Sequence, residues 1–345
     1  MSLRDEIYEQ PRVLRRLIDE RWEQIQDVAS SIKQQRVGYA FLAARGTSDH
    51  AGLYAKYLWG AYNRLPVAMA TPSLFSLYER PPRLDSALVI GISQSGQSPD
   101  IVSVVAEGRR QGALTLAITN CPDSPIAETA ETVIHIDAGP EKAVAATKTY
   151  TAQLAAIALL SVALGEDTGQ VAALRRLPDW VSQALALESE IARAAQRYRY
   201  MEQCVVLGRG FNYATAFEWA LKLKELTYTV ADPYSSADFR HGPIAMVARG
   251  FPVFAVVSSG AVCDDLLSLL KRLREKHQVE LFVVSDQPAA LDLADTAIPL
   301  PEDVPEWLSP IVSIVPAQLF CYHLTRAKGF DTEEPRSLSK VTKTQ

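Results

Sequence analysis

Along this chain, short runs of β-branched and apolar residues alternate with longer stretches whose apolar positions recur at helical spacing. That alternation predicts strands and helices in turn, the pattern of a parallel α/β sheet. An N-terminal helix is predicted from about Val13 to Gln35. Strands are predicted at Tyr39–Ala44, Val67–Thr71, Ala87–Ile92, Leu114–Thr119 and Val133–Asp137. An Ala/Leu-rich segment from Thr147 to about Arg197 then carries the 3.6-residue period of packed helices. The strand pattern restarts at Cys204–Leu207, Val253–Val257, Leu281–Ser285 and Ala297–Leu300.

The restart reads as a repeat. Gly46 and Gly210 lie 164 residues apart, Ser93 and Ser258 165, and Asn120 and Asp286 166. Each of these landmarks ends a predicted strand. The expectation is two similar α/β halves, at 1–195 and 196–345, with one large α/β domain as the competing reading. A length of 345 residues agrees with two domains, at about 150 residues each.

Composition removes several classes. With 48% apolar and 22% charged residues the chain is neither disordered nor low in complexity. A net charge of −5 leaves no basic surplus for a phosphate backbone, so nucleic acid is not the expected partner. The longest apolar run, Ala152 to Gly165, is short of the roughly 20 residues that span a bilayer. The charged N-terminus lacks the apolar stretch of a secretory signal. Cys121, Cys204, Cys263 and Cys321 are far apart, with no neighbouring His. They fit neither a metal site nor a disulfide framework, so buried free thiols in a reducing cytoplasm are expected, with no metal and no cofactor.

The strongest local signal for a site is Ala87–Ile101, ALVIGISQSGQSPDI. A buried strand runs into a Ser/Gly loop, and Ser98 as N-cap, Pro99 and Asp100 then open a helix. Loop amides, hydroxyls and a helix N-terminus converge there, which suits a phosphate monoester. A plain capping role for these serines is the competing account. A second donor-rich turn, Arg45-GTS-Asp49, also ends a strand, where ligands of open α/β sheets collect. Neither turn has dinucleotide or P-loop spacing. The counterpart in the second half, Val257-SSGAVCDD, has fewer donors and two following acids, so it should be a poor anion cradle.

Acid–base candidates cluster later. In Ala216–Thr227, Glu218, Lys222 and Glu225 fall on one helical stripe. A solvated face with a weak Glu–Lys pair is the plain reading. Phe217, Trp219, Leu221, Leu223 and Leu226 wrap the rest of the helix and point to burial, which makes a carboxylate beside a lysine a credible general base. His241 precedes Gly242-Pro243, which ends regular structure, so it belongs to a loop. Lys340 lies five residues from the C-terminus, where a frayed tail is the simplest expectation.

Taken in order, EIYEQP, GTS, SQSG, Ala146-TK, EWALKLKEL, HGP and PRSLSK resemble the SIS (sugar isomerase) family almost end to end. The resemblance is to the isomerase half of glucosamine-6-phosphate synthase and to single-chain aminosugar-phosphate deaminases. It implies two tandem SIS domains, each a five-stranded parallel sheet flanked by helices in a flavodoxin-like three-layer arrangement. It also implies that Gly46, Thr47, Ser48, Ser93, Gln94, Ser95, Ser98, Val144, Ala146 and Ser339 bind the phosphosugar. By the same resemblance Glu225 moves a proton between C1 and C2, Lys222 assists, His241 opens the ring, and Lys340 forms a Schiff base with the ketose. A homodimer sharing its active sites follows, because relatives place the His loop at a neighbouring subunit's site.

Departures from the family pattern are SQSGQS in place of SQSGET, Ala146 where serine is frequent, and Asp238 and Arg240 in place of Glu and Lys. The chain starts where the isomerase half starts, so a glutaminase domain is not expected. The function anticipated is therefore interconversion of an aminosugar 6-phosphate and a ketose 6-phosphate with free ammonia. A plain aldose–ketose isomerase, a deglycase of amino-acid–sugar phosphate adducts and a non-catalytic sugar-phosphate sensor are the alternatives.

Overall fold

The computed structural model describes residues 2–165 and 168–340. Two five-stranded sheets, every pairing parallel, form the frame. The first contains β1 (Tyr39–Ala43), β2 (Val67–Met69), β3 (Ala87–Ser93), β4 (Leu114–Thr119) and β5 (Thr132–His135), in the order β2-β1-β3-β4-β5. The second contains β6 (Gln203–Gly208), β7 (Val230–Ser235), β8 (Pro252–Val257), β9 (Glu280–Ser285) and β10 (Thr296–Pro299), in the order β7-β6-β8-β9-β10. The two orders are the same topology, and successive counterparts start 164, 163, 165, 166 and 164 residues apart. The repeat seen in the sequence is thus a repeat of fold, in the doubly wound order whose ligand crevice lies beyond the strand ends.

Central strands are buried on both faces because helices cover both sides of each sheet: all seven residues of β3 and all six of β8 are buried. The described residues divide into two compact units, each holding one sheet. The unit of β1–β5 is made of Arg12–Lys142, Ala146–Arg176 and Ser339 onward. The unit of β6–β10 is made of the residues up to Pro11, Ala143–Ala145 and Leu177–Leu338. In the latter, Trp219 packs edge-on against Phe254 and Phe282 at centroid distances of 5.1 and 5.5 Å, and Phe320 closes the cluster. This aromatic block seats the helix Tyr213–Thr227 on its sheet.

Several elements differ from the sequence reading. The N-terminal helix is two helices, Leu3–Tyr8 and Gln10–Gln34, the first started by a Ser2 capping box that places Asp5 at the third helical position. β7 was not anticipated, because its Asp232 and Pro233 are poor strand formers; it is an edge strand, where a missing N–H is tolerated. The apolar run Ala152–Gly165 belongs to a longer helix, Lys148–Gly165, and a second long apolar segment, Glu306–Ala327, escaped notice. Both are long and apolar enough to cross a membrane, but 89% and 94% of their apolar windows are buried inside the protein, as in core helices. All four cysteines are free; Cys204, Cys263 and Cys321 are buried as expected, whereas Cys121 is partly exposed because it lies in the turn after β4.

Candidate functional site

β1 and β3 are neighbours, with Ala43 opposite Gly91, so the turns at their carboxyl ends are adjacent. Gly46, at φ +53°, turns the chain into the helix Thr47–Asn63, placing Thr47 and Ser48 in its first turn. After β3, Ser93 Oγ accepts the Gly96 amide at 3.1 Å and Ser95 Oγ accepts the Gln97 amide at 3.3 Å. Gly96 adopts φ +66° with Ser124 directly beneath it, where a Cβ would collide with the serine hydroxyl. Only glycine lets the loop fold down this far.

Ser98 takes the N-cap position of the helix Pro99–Arg110, with Pro99 first in the helix, but its side chain makes no capping hydrogen bond. The capping account therefore fails for this hydroxyl. The turns are tied together by Arg45, whose Nε donates to the fully buried Asp100 carboxylate at 2.8 Å. Ser48 Oγ accepts from Gln153 of the helix Lys148–Gly165 at 3.0 Å. That helix runs parallel to Thr47–Asn63, since Trp59 and Asn63 reach Ile157 and Ser161 further along both. The N-terminal turns of both helices thus share one end of the unit.

At that end lie two more of the anticipated residues, Ala146 and Lys340. Lys340 Nζ donates to Glu141 at 2.7 Å, so this lysine is held rather than frayed. Ser339, beside it, is exposed; Val341 and Thr342, which follow the motif, lie outside the described residues. Val144 is counted with the other unit and is partly exposed.

In the other unit, Glu218, Lys222 and Glu225 share a stripe, and that stripe is buried, not solvated. Glu218 is inaccessible, and Lys222 Nζ sits 3.3 Å from its Oε1 and 2.5 Å from Oε2 of Glu225. Burial opposes the Lys222 charge, but the two carboxylates outweigh it and hold the ammonium above the ordinary lysine range. Glu225, by contrast, keeps 23% of its side chain exposed, a carboxylate at a rim with a cation behind it. The aromatic packing of Trp219 produces this burial, a signal present in the sequence as the apolar wrap around the stripe.

His241 terminates the short helix Ser236–Arg240 and is exposed. Pro243 opens a 3-10 turn, so the Gly242-Pro243 pair redirects regular structure instead of ending it. Arg240 donates to Asp265 at 2.9 Å and to its backbone carbonyl at 2.8 Å, clamping the His turn onto the helix Cys263–Arg272.

In the counterpart loop after β8, expected to be a poor cradle, the donors are already engaged, and not by the two following acids. Asp265 serves Arg240 and Arg209. The loop's own donors are taken by more distant carboxylates: Asp286 accepts the Ser259 amide at 2.8 Å and its hydroxyl at 2.6 Å, and Glu306 accepts the Ala261 amide at 2.9 Å. In the first half the position of Asp286 is Asn120, an amide rather than a carboxylate, whose side chain instead bonds Gly139 and Ala138. Sequence reading did not single out Glu141 or Gln153, and took Asp100 only as a residue that opens its helix, because the ion pairing of a buried charge or amide has no periodic signature. Among the described residues, no cluster of His, Cys, Asp and Glu could hold a metal ion.

Comparison with known proteins bears on this geometry. Residues 34–163 and 199–327 each match the SIS domain model. Over 349 residues the chain is 35% identical to a glutamine–fructose-6-phosphate aminotransferase (isomerizing) of Thermus thermophilus, covering 97% of this chain and 57% of that protein. The chain therefore spans little more than half the length of such relatives. The solved C-terminal domain of glucosamine-fructose-6-phosphate aminotransferase from Francisella tularensis superposes with a TM-score of 0.87 at 30% identity, covering 96% of this chain and 98% of that one. Glucosamine-6-phosphate deaminase from Thermotoga maritima shares the fold, with a TM-score of 0.78 at 18% identity and full coverage of both chains. With two matched segments that coincide with the two repeated sheets, this chain belongs to the SIS domain family.

Proposed function

We propose that this chain interconverts a 2-amino-2-deoxyaldose 6-phosphate and a ketose 6-phosphate, releasing or consuming free ammonia. The observation that carries the reading is the Glu225 carboxylate, partly exposed and braced at 2.5 Å by the buried Lys222 ammonium. One oxygen of Glu225 is held by Lys222, and the other takes the proton alpha to the carbonyl or imine. Ser93, Gln94, Ser95, Ser98, Thr47 and Ser48 hold the phosphate and sugar hydroxyls through neutral donors and a helix N-terminus, as a metal-free phosphate site requires. His241 opens the sugar ring. Lys340 adds to the ketose carbonyl with loss of water and so forms an imine. The name of a relative at 35% identity, a glutamine–fructose-6-phosphate aminotransferase, supports a fructose 6-phosphate substrate. Both described units are SIS folds, so ammonia from glutamine would require a further domain.

The exposure of His241 within one chain suits a residue that completes a neighbouring copy's site, so the proposed active form is a cytosolic homodimer. The test is ammonia release across a panel of phosphorylated aminosugars, with glutamine as the negative control. Glu225→Gln should bind glucosamine 6-phosphate nearly normally and turn over at least about 100-fold more slowly. Normal turnover by that variant removes Glu225 from the chemistry. Isomerisation of a hexose phosphate without ammonia release shifts the reading to a plain aldose–ketose isomerase.

A further inference from the structure

Glu141 has no place in the reaction as drawn so far, yet its carboxylate is the most heavily engaged one at the cradle end of its unit. The side chain is fully buried. Oε1 accepts the backbone amides of Thr147 and Thr149 at 3.0 and 3.1 Å. Oε2 accepts the Thr149 hydroxyl at 2.8 Å and the Lys340 ammonium at 2.7 Å. Three neutral donors satisfy a carboxylate's hydrogen bonding but not its charge, and a buried charge needs an ionic partner. Lys340 supplies it from 199 residues away in sequence.

The exchange has two sides. Residues 331–340 form no helix or strand, so no backbone ladder fixes where Lys340 sits. Glu141 is anchored to the first turn of the helix Lys148–Gly165, whose Gln153 also grips Ser48 of the GTS turn. The carboxylate therefore references Lys340 to the same rigid end that carries the phosphate-binding hydroxyls. Lys340 itself keeps 24% of its side chain exposed, so the ion pair leaves the amine reachable.

We infer that Glu141 is a positioning residue: it draws the irregular C-terminal segment onto the cradle and aims Lys340 Nζ at the carbonyl carbon of the open-chain ketose phosphate. The inference rests on the proposed imine step, in which the lysine nitrogen forms its bond to carbon, the carbonyl oxygen leaves as water, and no oxidant or reductant takes part.

The experiment uses the full chain with fructose 6-phosphate and sodium cyanoborohydride, which reduces any imine to a stable secondary amine, followed by mass measurement of the peptide holding Lys340. Glucitol 6-phosphate, which has no carbonyl, reports binding alone. The wild type should acquire a hexose phosphate on Lys340. Glu141→Gln should lower the trapping rate by at least about 10-fold, since misplacing a reacting group by about an ångström can cost about 100-fold. Its affinity for glucitol 6-phosphate should change less than about 3-fold, because the cradle hydroxyls are untouched. Trypsin should also cleave after Lys340 faster in that variant, a readout of the segment's release.

Glu141→Asp keeps the charge but withdraws it by one methylene, and should trap at an intermediate rate; it provides the reading if the glutamine variant does not fold. Trapping at the wild-type rate in whichever variants fold overturns the positioning role. Loss of glucitol 6-phosphate binding in parallel with trapping overturns it as well, since Glu141 would then merely support the cradle. A wild type that binds glucitol 6-phosphate but traps no sugar refutes the imine step itself, a separate failure of the proposed function.

Discussion

Replacing Lys222 by methionine isolates the energetic core of the acid–base helix. The methionine keeps the apolar stem and removes the ammonium that stands 3.3 Å from Glu218 and 2.5 Å from Glu225. At an effective dielectric constant of about 20, the nearer-to-buried pair at 3.3 Å is worth about 5 kcal/mol of gross attraction. Much of that is offset by the desolvation already incurred in burying Lys222 and Glu218. What the variant exposes is the other side of the comparison: Glu218, wholly inaccessible, loses the Lys222 cation, and breaking a buried pair from one side costs about 3–5 kcal/mol. Urea unfolding followed by tryptophan fluorescence, with Trp219 on the same helix, is the assay.

At a slope of about 2 kcal/mol per molar urea, the midpoint for the unit should fall by about 2 M. Glu218→Gln in the same chain should restore a large part of the loss, because the buried charge disappears with its partner. The sign with pH follows from linkage. An orphaned carboxylate has a raised folded-state pKa, so its penalty is greatest at high pH and fades as pH falls and it takes up a proton. The deficit measured at pH 7.5 should therefore exceed that at pH 5.5. A loss below about 1 kcal/mol, equal at both pH values, would refute the claim that Lys222 neutralises a buried pair of carboxylates.

Other perturbations follow from single contacts. Gly96→Ala forces a side chain into φ +66° and onto Ser124, and should cost about 2–3 kcal/mol in unfolding experiments while weakening phosphosugar binding measured by calorimetry. Arg45→Ala unties the two donor turns from the buried Asp100; KM for the phosphosugar should rise about 10-fold with less change in kcat, and an unchanged KM would show the tie to be idle. His323 is half-buried beside Glu188. Burial lowers its pKa from 6.5, helped by Arg326 and Arg4, while Glu188 pulls the other way. The unfolded chain therefore binds a proton that the folded chain resists, and stability falls as pH drops below about 6.5. His323→Gln should flatten the decline of Tm between pH 7.5 and 5.

How far the sequence carried differs element by element. The central strands β1, β3, β4, β6, β8 and β9 were placed to within a residue or two, because central parallel strands are continuous apolar runs bounded by turns. β7 was missed because an edge strand can hold Asp232-Pro233, and the helix Ser309–Ala327 because an all-round apolar helix has no polar face to set its period. In the candidate site, the Ser/Gly turns were legible from hydroxyl density at a strand end. The charged stripe was legible only as a choice between water and burial, and the aromatic packing of Trp219 decided it.

By itself, then, the sequence determined the repeat, the two sheets and the chemical inventory, since period and turn chemistry are local properties of neighbouring residues. Tertiary structure decided which charges found partners. Glu141 and Lys340 are 199 residues apart, and Asp286 reaches Ser259 across 27. No local pattern encodes such pairings, because a buried carboxylate is stabilised by whichever donors the fold brings to it, and those are known only once the chain has closed.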